Sequence, residues 1–285
     1  MHQAAQRFAI PVAEWIDLST GINPHPYPLP AVPSSVWQQL PDEDDSLHAV
    51  AANYYGSKSI LPVSGSQAAI EVLPRLRAPR RVGILPPAYA EYAYQWQSQG
   101  HSVEELSAAE LEARLPYLDV VIVIPPNNPK AELLSKQRLL RWLAILQQHQ
   151  GWLVVLDASP ENHLLTMIKQ APVEGLIVLR SVGKFFGLAG IRLGFVWAPQ
   201  SLLKAIGLLL PVWSVSSVAR WAGAIVLKNS EWQSQMRRRL SIESQSLAAL
   251  LQQQSFSCVS TPLFSTVYIG DGQSGGGSRD IPLPG

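Results

Sequence analysis

Val120-Val121-Ile122-Val123-Ile124, followed at once by Pro125-Pro126-Asn127-Asn128-Pro129, sets the architecture. Five β-branched residues in succession leave no polar face, so the run predicts a strand buried on both sides. The prolines then end it. Working outward, residues 60–63, 81–85, 153–156, 176–179 and 195–197 predict further short strands. Residues 46–55 with Gly56 as a C-cap, 66–76, 89–99 and 135–148 predict the helices between them. Strands alternating with helices indicate an α/β fold with a mainly parallel sheet.

The rest of the chain divides around this unit. Residues 1–40 are rich in proline, and Asn23-Pro24-His25-Pro26-Tyr27-Pro28 must be an extended arm, because proline removes donors and restricts its predecessor. Residues 41–200 form the large α/β domain. Residues 201–270 read as helices over 201–209, 215–228 and 231–254 with one late strand over 263–269, a small C-terminal domain that the arm joins. Residues 271–285 are Gly/Ser-rich and read as a flexible tail.

Composition removes several classes of function. The 285 residues are 47% apolar and 15% charged, as in a globular protein with a sizeable core. Twenty-two basic residues against 21 acidic ones give a net charge of +1 and no nucleic-acid footprint. The single cysteine, Cys258, excludes an intrachain disulfide and a thiolate zinc cluster. His2, His25, His48, His101, His149 and His163 lack metal-ligand spacing, so no metal is expected. Residues 1–14 lack the apolar core of a signal peptide. Residues 205–227, the most apolar stretch, are broken by Pro211 and Arg220 and read as buried helices. A soluble cytoplasmic protein without membrane or nucleic-acid partners is expected.

In an open parallel sheet, ligands bind beyond the carboxyl ends of the strands, so the polar residues there carry most weight. Ser64-Gly65-Ser66-Gln67 opens a helix, where exposed N–H groups and the dipole suit an anion; an ordinary cap by Ser66 is the plainer reading. Tyr89, after Pro86-Pro87-Ala88, offers an aromatic face to a flat ligand, or packs in the core. Asn128, held between prolines, presents an amide from a fixed backbone, or marks a turn. Asp157 ends a buried strand and needs a cationic partner, or caps the next helix. The densest cluster is Arg180-Ser181-Val182-Gly183-Lys184-Phe185-Phe186-Gly187-Leu188-Ala189-Gly190-Ile191-Arg192. Among apolar residues and glycines, Lys184 loses solvation, its pKa falls and its amine becomes a nucleophile able to form Schiff bases; the plainer reading is a loop lysine. Ser181 and Arg192 could bind a phosphate. The cluster contains neither G-x-x-x-x-G-K-[ST] nor G-x-G-x-x-G, so it is no nucleotide loop.

Anion cradle, aromatic face, amide, carboxylate, lysine and arginine, in that chain order over residues 15–270, resemble the fold-type I pyridoxal-phosphate (PLP) enzymes, the aspartate aminotransferase superfamily. Ser181, Lys184 and Arg192 are the most specific piece. Asp17-Leu18-Ser19-Thr20-Gly21-Ile22-Asn23-Pro24, Pro87-Ala88-Tyr89-Ala90-Glu91-Tyr92 and Pro211-Val212-Trp213-Ser214-Val215-Ser216 are similar to the threonine-phosphate decarboxylase family of cobalamin biosynthesis.

The resemblance implies a PLP-dependent transferase-like fold and roles for these residues. Lys184 would hold PLP covalently, Asp157 would pair with the ring nitrogen, Asn128 with the ring oxygen, and Tyr89 would stack on the ring. Gly65, Ser66, Gln67, Ser181 and Arg192 would hold the phosphate. Lys184, Asp157 and Tyr89 form the implied catalytic set, and Gly21, Ile22 and Asn23 the substrate wall. The implied activity is decarboxylation of L-threonine O-3-phosphate to aminopropanol phosphate, by a homodimer in which Tyr54 is a candidate contact to the partner's phosphate site, or else a core aromatic before the C-cap Gly56. An aminotransferase of the histidinol-phosphate type, or a PLP-binding protein without turnover, are the alternatives. Departures from the pattern are Ala158-Ser159-Pro160 after Asp157, Asn128-Pro129-Lys130-Ala131 at the turn, and a small α+β domain that reads as truncated after Ile269. Arg279 is the only arginine after Arg239 left to grip the substrate carboxylate.

Overall fold

The computed structural model describes residues 2–15, 18, 20–43, 45–128, 130–131, 133–157 and 172–268. Arg279, the tail, the residues that follow Asp157, and Asp17, Ser19, Pro129 and Ile269 of the motifs quoted above lie outside them.

Seven strands form the main sheet: β1 (Ile60–Val63), β2 (Arg81–Ile84), β3 (Ser102–Glu105), β4 (Val120–Val123), β5 (Trp152–Asp157), β6 (Leu176–Ser181) and β7 (Gly194–Trp197). Their order is β1-β7-β6-β5-β4-β2-β3. β6, β5, β4, β2 and β3 are parallel, and β7 runs antiparallel to both β6 and β1. So β7 alone is reversed, and the carboxyl ends of the other six strands share one edge. The chain leaves β2 for the outer strand β3, then returns across β2 to β4. The crevice between the ends of β2 and β4 is therefore a topological switch point, where open α/β sheets bind ligands.

Alternation along the central strands divides the core in two. Val121, Val123, Leu153, Val155 and Val178 face α3 (Ser46–Tyr55) and α7 (Lys136–Gln147). Val120, Ile122, Val154, Ile177 and Leu179 face α4 (Gly65–Val72), α5 (Ala90–Ser98) and α8 (Gln200–Leu209). Each such side chain contributes about 1.5–3 kcal/mol of burial, which explains why these strands tolerate no polar alternation.

Several elements differ from expectation for local reasons. The helix expected over 66–76 ends as α4 at Val72, and Pro74, lacking an N–H, continues it only as a 3-10 turn. β3 and α6 (Ala108–Arg114) fill a stretch for which the sequence reading assigns no element. β3 is a half-exposed edge strand carrying two glutamates, so it lacks the apolar signal of the buried strands. α6 opens with a reciprocal capping box between Ser107 and Glu110. Two short helices, α1 (His2–Phe8) and α2 (Ser34–Gln38), flank the extended arm.

After residue 200 come α8, α9 (Ser217–Lys228) and the long α10 (Ser230–Gln253), then a hairpin of β8 (Ser257–Ser260) and β9 (Ser265–Tyr268). α9 is pinned to the start of α3, where buried Arg220 donates to both oxygens of Asp45 at 2.7 and 2.8 Å. Among the described residues, no helix is long and apolar enough to cross a membrane.

Candidate active site

The carboxyl edge of the sheet opens into a cavity of about 730 Å³. It is walled by the starts of α4 and α5, the ends of β4 to β6, the loop after β6, and Thr20, Gly21 and Ile22 of the arm.

One corner is built for an anion. The first-turn N–H groups of α4 have no intrahelical acceptor. The residue in the cap position is Ser64, not Ser66, and it makes no side-chain cap bond. This corrects the reading of Ser66 as an ordinary N-cap. In α3, α6, α7, α9 and α10 a side chain does fill that role. Arg192 lies directly over this helix start. A Cβ added to Gly65 would come within 2.8 Å of the Arg192 guanidinium, and the φ of +70° at Gly65 is one that favours glycine. Gly194 clears the same corner from the sheet side, where a Cβ would meet the Ser66 nitrogen at 2.9 Å. Among the described residues Arg192 has no carboxylate partner. Ser181 completes the corner from the end of β6. Gln67 spends its side-chain amide on Glu71 and Glu91, at 3.0 and 3.1 Å, and offers the corner its backbone.

Lys184 reaches the same cavity from the loop after β6. It is mostly buried, and loss of hydration pushes its ammonium below the ordinary lysine value. That removes the reading of a plain surface lysine. Tyr89 stands at the opposite wall with 56% of its surface exposed, so it is not core packing. Asn128 lines the cavity as an exposed turn residue.

Beneath the floor lies a buried charge cluster. Asp157 is 2% exposed and pairs with Arg180, its partner across the β5–β6 ladder. The Arg180 guanidinium sits 5.8 Å from the centre of the Tyr55 ring. Burial alone would lower the Arg180 pKa, yet the charge of Asp157 holds it above the ordinary value. Burial drives the Tyr55 hydroxyl well above its usual range, so it stays protonated. The cation that a buried Asp157 requires is thus supplied by the next strand.

Sequence reasoning passed over two residues. Asn127 is buried and donates from Nδ2 to the Pro87 carbonyl at 2.8 Å, which ties the end of β4 to the loop after β2 across the switch point. Its Oδ1 is buried without a hydrogen-bond partner among the described residues. Its signal was its place beside Asn128 after a buried strand. Arg180 is the other; it is a basic residue in an otherwise apolar strand. Asn23, by contrast, was expected on the substrate wall. Its side chain does not line the cavity but turns to the loop behind it, where Nδ2 donates to the Phe185 carbonyl at 2.8 Å. Gly21 and Ile22 do line the wall. Tyr54 accepts a hydrogen bond from Arg237 at 3.3 Å.

An uncapped helix start, an unpaired arginine and a hydroxyl in one corner fit a phosphate. A desolvated lysine and an exposed aromatic ring complete a donor set that fits a phosphorylated aromatic aldehyde such as PLP.

Comparison with known proteins agrees. Residues 14–269 match the profile of the aminotransferase class I and II family. The chain is 45% identical to a threonine-phosphate decarboxylase of Pseudomonas aeruginosa over 256 residues, 88% of this chain and 76% of that protein. It is 41% identical to a threonine-phosphate decarboxylase of Sinorhizobium sp. over 225 residues, 76% of this chain and 67% of that protein. The crystal structure of histidinol-phosphate aminotransferase from Sinorhizobium meliloti in complex with pyridoxal-5'-phosphate superposes with a TM-score of 0.74 at 18% identity, covering 83% of this chain and 69% of that one. With the profile spanning nearly the whole described chain and the site at the switch point of the sheet, this protein belongs to the aminotransferase class I and II family.

Proposed function

We propose that this chain is a PLP-dependent lyase that decarboxylates L-threonine O-3-phosphate to aminopropanol phosphate. The observation that carries the cofactor is the convergence of Lys184 and an uncapped, arginine-covered helix start on one cavity. The relatives at 45% and 41% identity carry the choice of reaction.

In this reading Arg192, Ser181 and the backbone of Gly65, Ser66 and Gln67 hold the cofactor phosphate. Tyr89 would lie against its ring, Asn128 would take the ring oxygen, Asp157 the ring nitrogen, and Lys184 the aldehyde carbon. When bound, PLP supplies an electron sink for the charge left on the substrate α-carbon. The chain's own residues do the rest. Arg180, paired with Asp157 across the ladder, would hold that carboxylate in place toward a protonated ring nitrogen. Lys184, with its pKa lowered by burial, delivers a proton to the α-carbon after CO2 has left. Gly21 and Ile22 close the substrate side and exclude water.

The proposal includes a cytoplasmic homodimer. Leu208, Val212 and Trp213, at and just beyond the end of α8, are exposed apolar residues that a second copy would cover, and the mass in solution tests it. The product is an amino alcohol phosphate for cobalamin assembly.

The deciding experiment is mass spectrometry of the products after PLP-reconstituted protein meets O-phospho-L-threonine. Aminopropanol phosphate with CO2 is the expected result. A keto acid would turn the reading to an aminotransferase. No product, with the cofactor still trapped on Lys184 by borohydride, would leave a binding protein without turnover.

A further inference from the structure

We propose that Asn23 is a positioning residue for Lys184: it fastens the amino-terminal arm to the Lys184 loop and so keeps the amine dry and aimed. The inference rests on the reading of Lys184 as the reactive amine.

The arm captures three successive carbonyls of that loop. The Asn23 N–H donates to the Lys184 carbonyl at 3.0 Å, Asn23 Nδ2 to the Phe185 carbonyl at 2.8 Å, and the Tyr27 N–H to the Phe186 carbonyl at 2.9 Å. Asn23 Oδ1 accepts from the His25 N–H at 2.9 Å, which fixes the side chain in place. Asn23 is 2% exposed, so these bonds are shielded from competing water. Gly187 lets the two segments touch. It has φ of +66°, and a Cβ there would meet Pro26 Cα at 2.7 Å and the Asn23 carbonyl oxygen at 2.9 Å.

The other side of the arm is held to the helical region. His25 Nε2 lies 2.8 Å from Glu243 of α10, and the Tyr27 hydroxyl accepts from Asn229 at 2.9 Å. A Cβ on Gly21 would be 3.4 Å from the Phe264 ring. Thr20, Gly21 and Ile22 continue from Asn23 into the cavity wall. The residue that locks the arm therefore also sets the wall facing Lys184. A substrate contact by the Asn23 side chain is inconsistent with this geometry, because both its polar atoms are already engaged behind the wall. Burial is what lowers the Lys184 pKa, and Thr20, Gly21 and Ile22 of the arm wall the cavity that Lys184 lines.

The test reads the amine directly. The full-length chain, freed of carbonyl ligands with hydroxylamine, is pulse-labelled with acetic anhydride across pH, and Lys184 is compared by peptide mass spectrometry with exposed Lys204. In the wild type, Lys184 titrates below Lys204. In Asn23→Ala its midpoint rises toward that of Lys204 by on the order of one pH unit, while Lys204 and the circular dichroism stay unchanged. A folded Asn23→Ala chain whose Lys184 titrates as in the wild type overturns the proposal. Hydrogen exchange on the wild type gives a second check that needs no variant. The Asn23 and Tyr27 amides should exchange as slowly as those of β6, and exchange at the rate of a free peptide would also overturn it. Failure of the decarboxylase reading looks different: no product from the wild type, with the Lys184 titration as described here.

Discussion

Arg180, at the end of β6, and Lys184, in the loop that follows, are both withdrawn from water and lie four residues apart. Arg180 meets a carboxylate on the neighbouring strand and an aromatic ring below it, and its pKa rises despite burial. Among the described residues Lys184 has no carboxylate partner, and its pKa falls. The same cost of desolvation therefore yields a fixed charge in one region and, in the next, an amine whose pKa is lowered, the one we propose as reactive. The strand end can only make the first, because the ladder sets Asp157 against Arg180. The loop can only make the second, because glycines and phenylalanines surround the lysine.

Removing the amine tests the contrast most severely. Lys184→Ala should lose borohydride trapping of PLP and lower turnover on the order of 10³-fold or more, since nucleophile and proton donor go together. Retained trapping at another lysine would break the assignment of the loop as the reactive region.

The strand end should answer in stability instead. Arg180→Leu removes the cation that pairs with Asp157 across the ladder, and breaking a buried ion pair typically costs about 3–5 kcal/mol. Urea unfolding should show that loss, and adding Asp157→Asn should return part of it. A cost near zero in the single variant would mean that the pair is not what holds this charge underground.

Arg192 sharpens the comparison as a third cation, like Lys184 without a carboxylate partner among the described residues, and proposed to meet the cofactor phosphate. Arg192→Ala should weaken PLP binding about 10- to 100-fold, the size of one or two charged hydrogen bonds. Folding stability should be unchanged. Equal PLP affinity would move the phosphate away from the start of α4.

Much of this geometry was legible in the chain. An unbroken β-branched run located β4 and the short apolar run 153–156 located β5, each within a residue or so, and Gly56 marked the end of α3, where it adopts φ of +72°. Polar residues after those strands then pointed to the cavity. What stayed hidden depends on contacts distant in sequence. That Arg180 neutralises Asp157 follows from strand order, which no local pattern encodes. The reversal of β7 is equally silent, because an antiparallel strand buried on both faces has the same composition as a parallel one. Asn23 is instructive in another way. Its motif drew attention to the right place, but its bonds reach residues 184 and 185 across more than half the chain. The missed α6 is different again, since Ser107 and Glu110 carried a readable capping box.

The smallest effect concerns what the buried amine costs the fold. The ordinary lysine pKa is 10.5, and burial places that of Lys184 lower in the native state. Between the lowered value and 10.5 the unfolded chain binds more protons than the native one, so stability rises with pH across that window. Below the window both states are protonated, and the native protein carries the full penalty of a desolvated ammonium. Lys184→Met keeps the side-chain length without the charge. It should raise the melting temperature at neutral pH and remove the rise with alkaline pH. The rise itself is limited to about 1.4 kcal/mol per pH unit, the slope of one proton. Arg180 predicts the opposite sign for its own replacement, because its charge is compensated. If Lys184→Met proved less stable than the wild type at neutral pH, the amine would have to be held by a partner after all, and the two regions would no longer differ in kind.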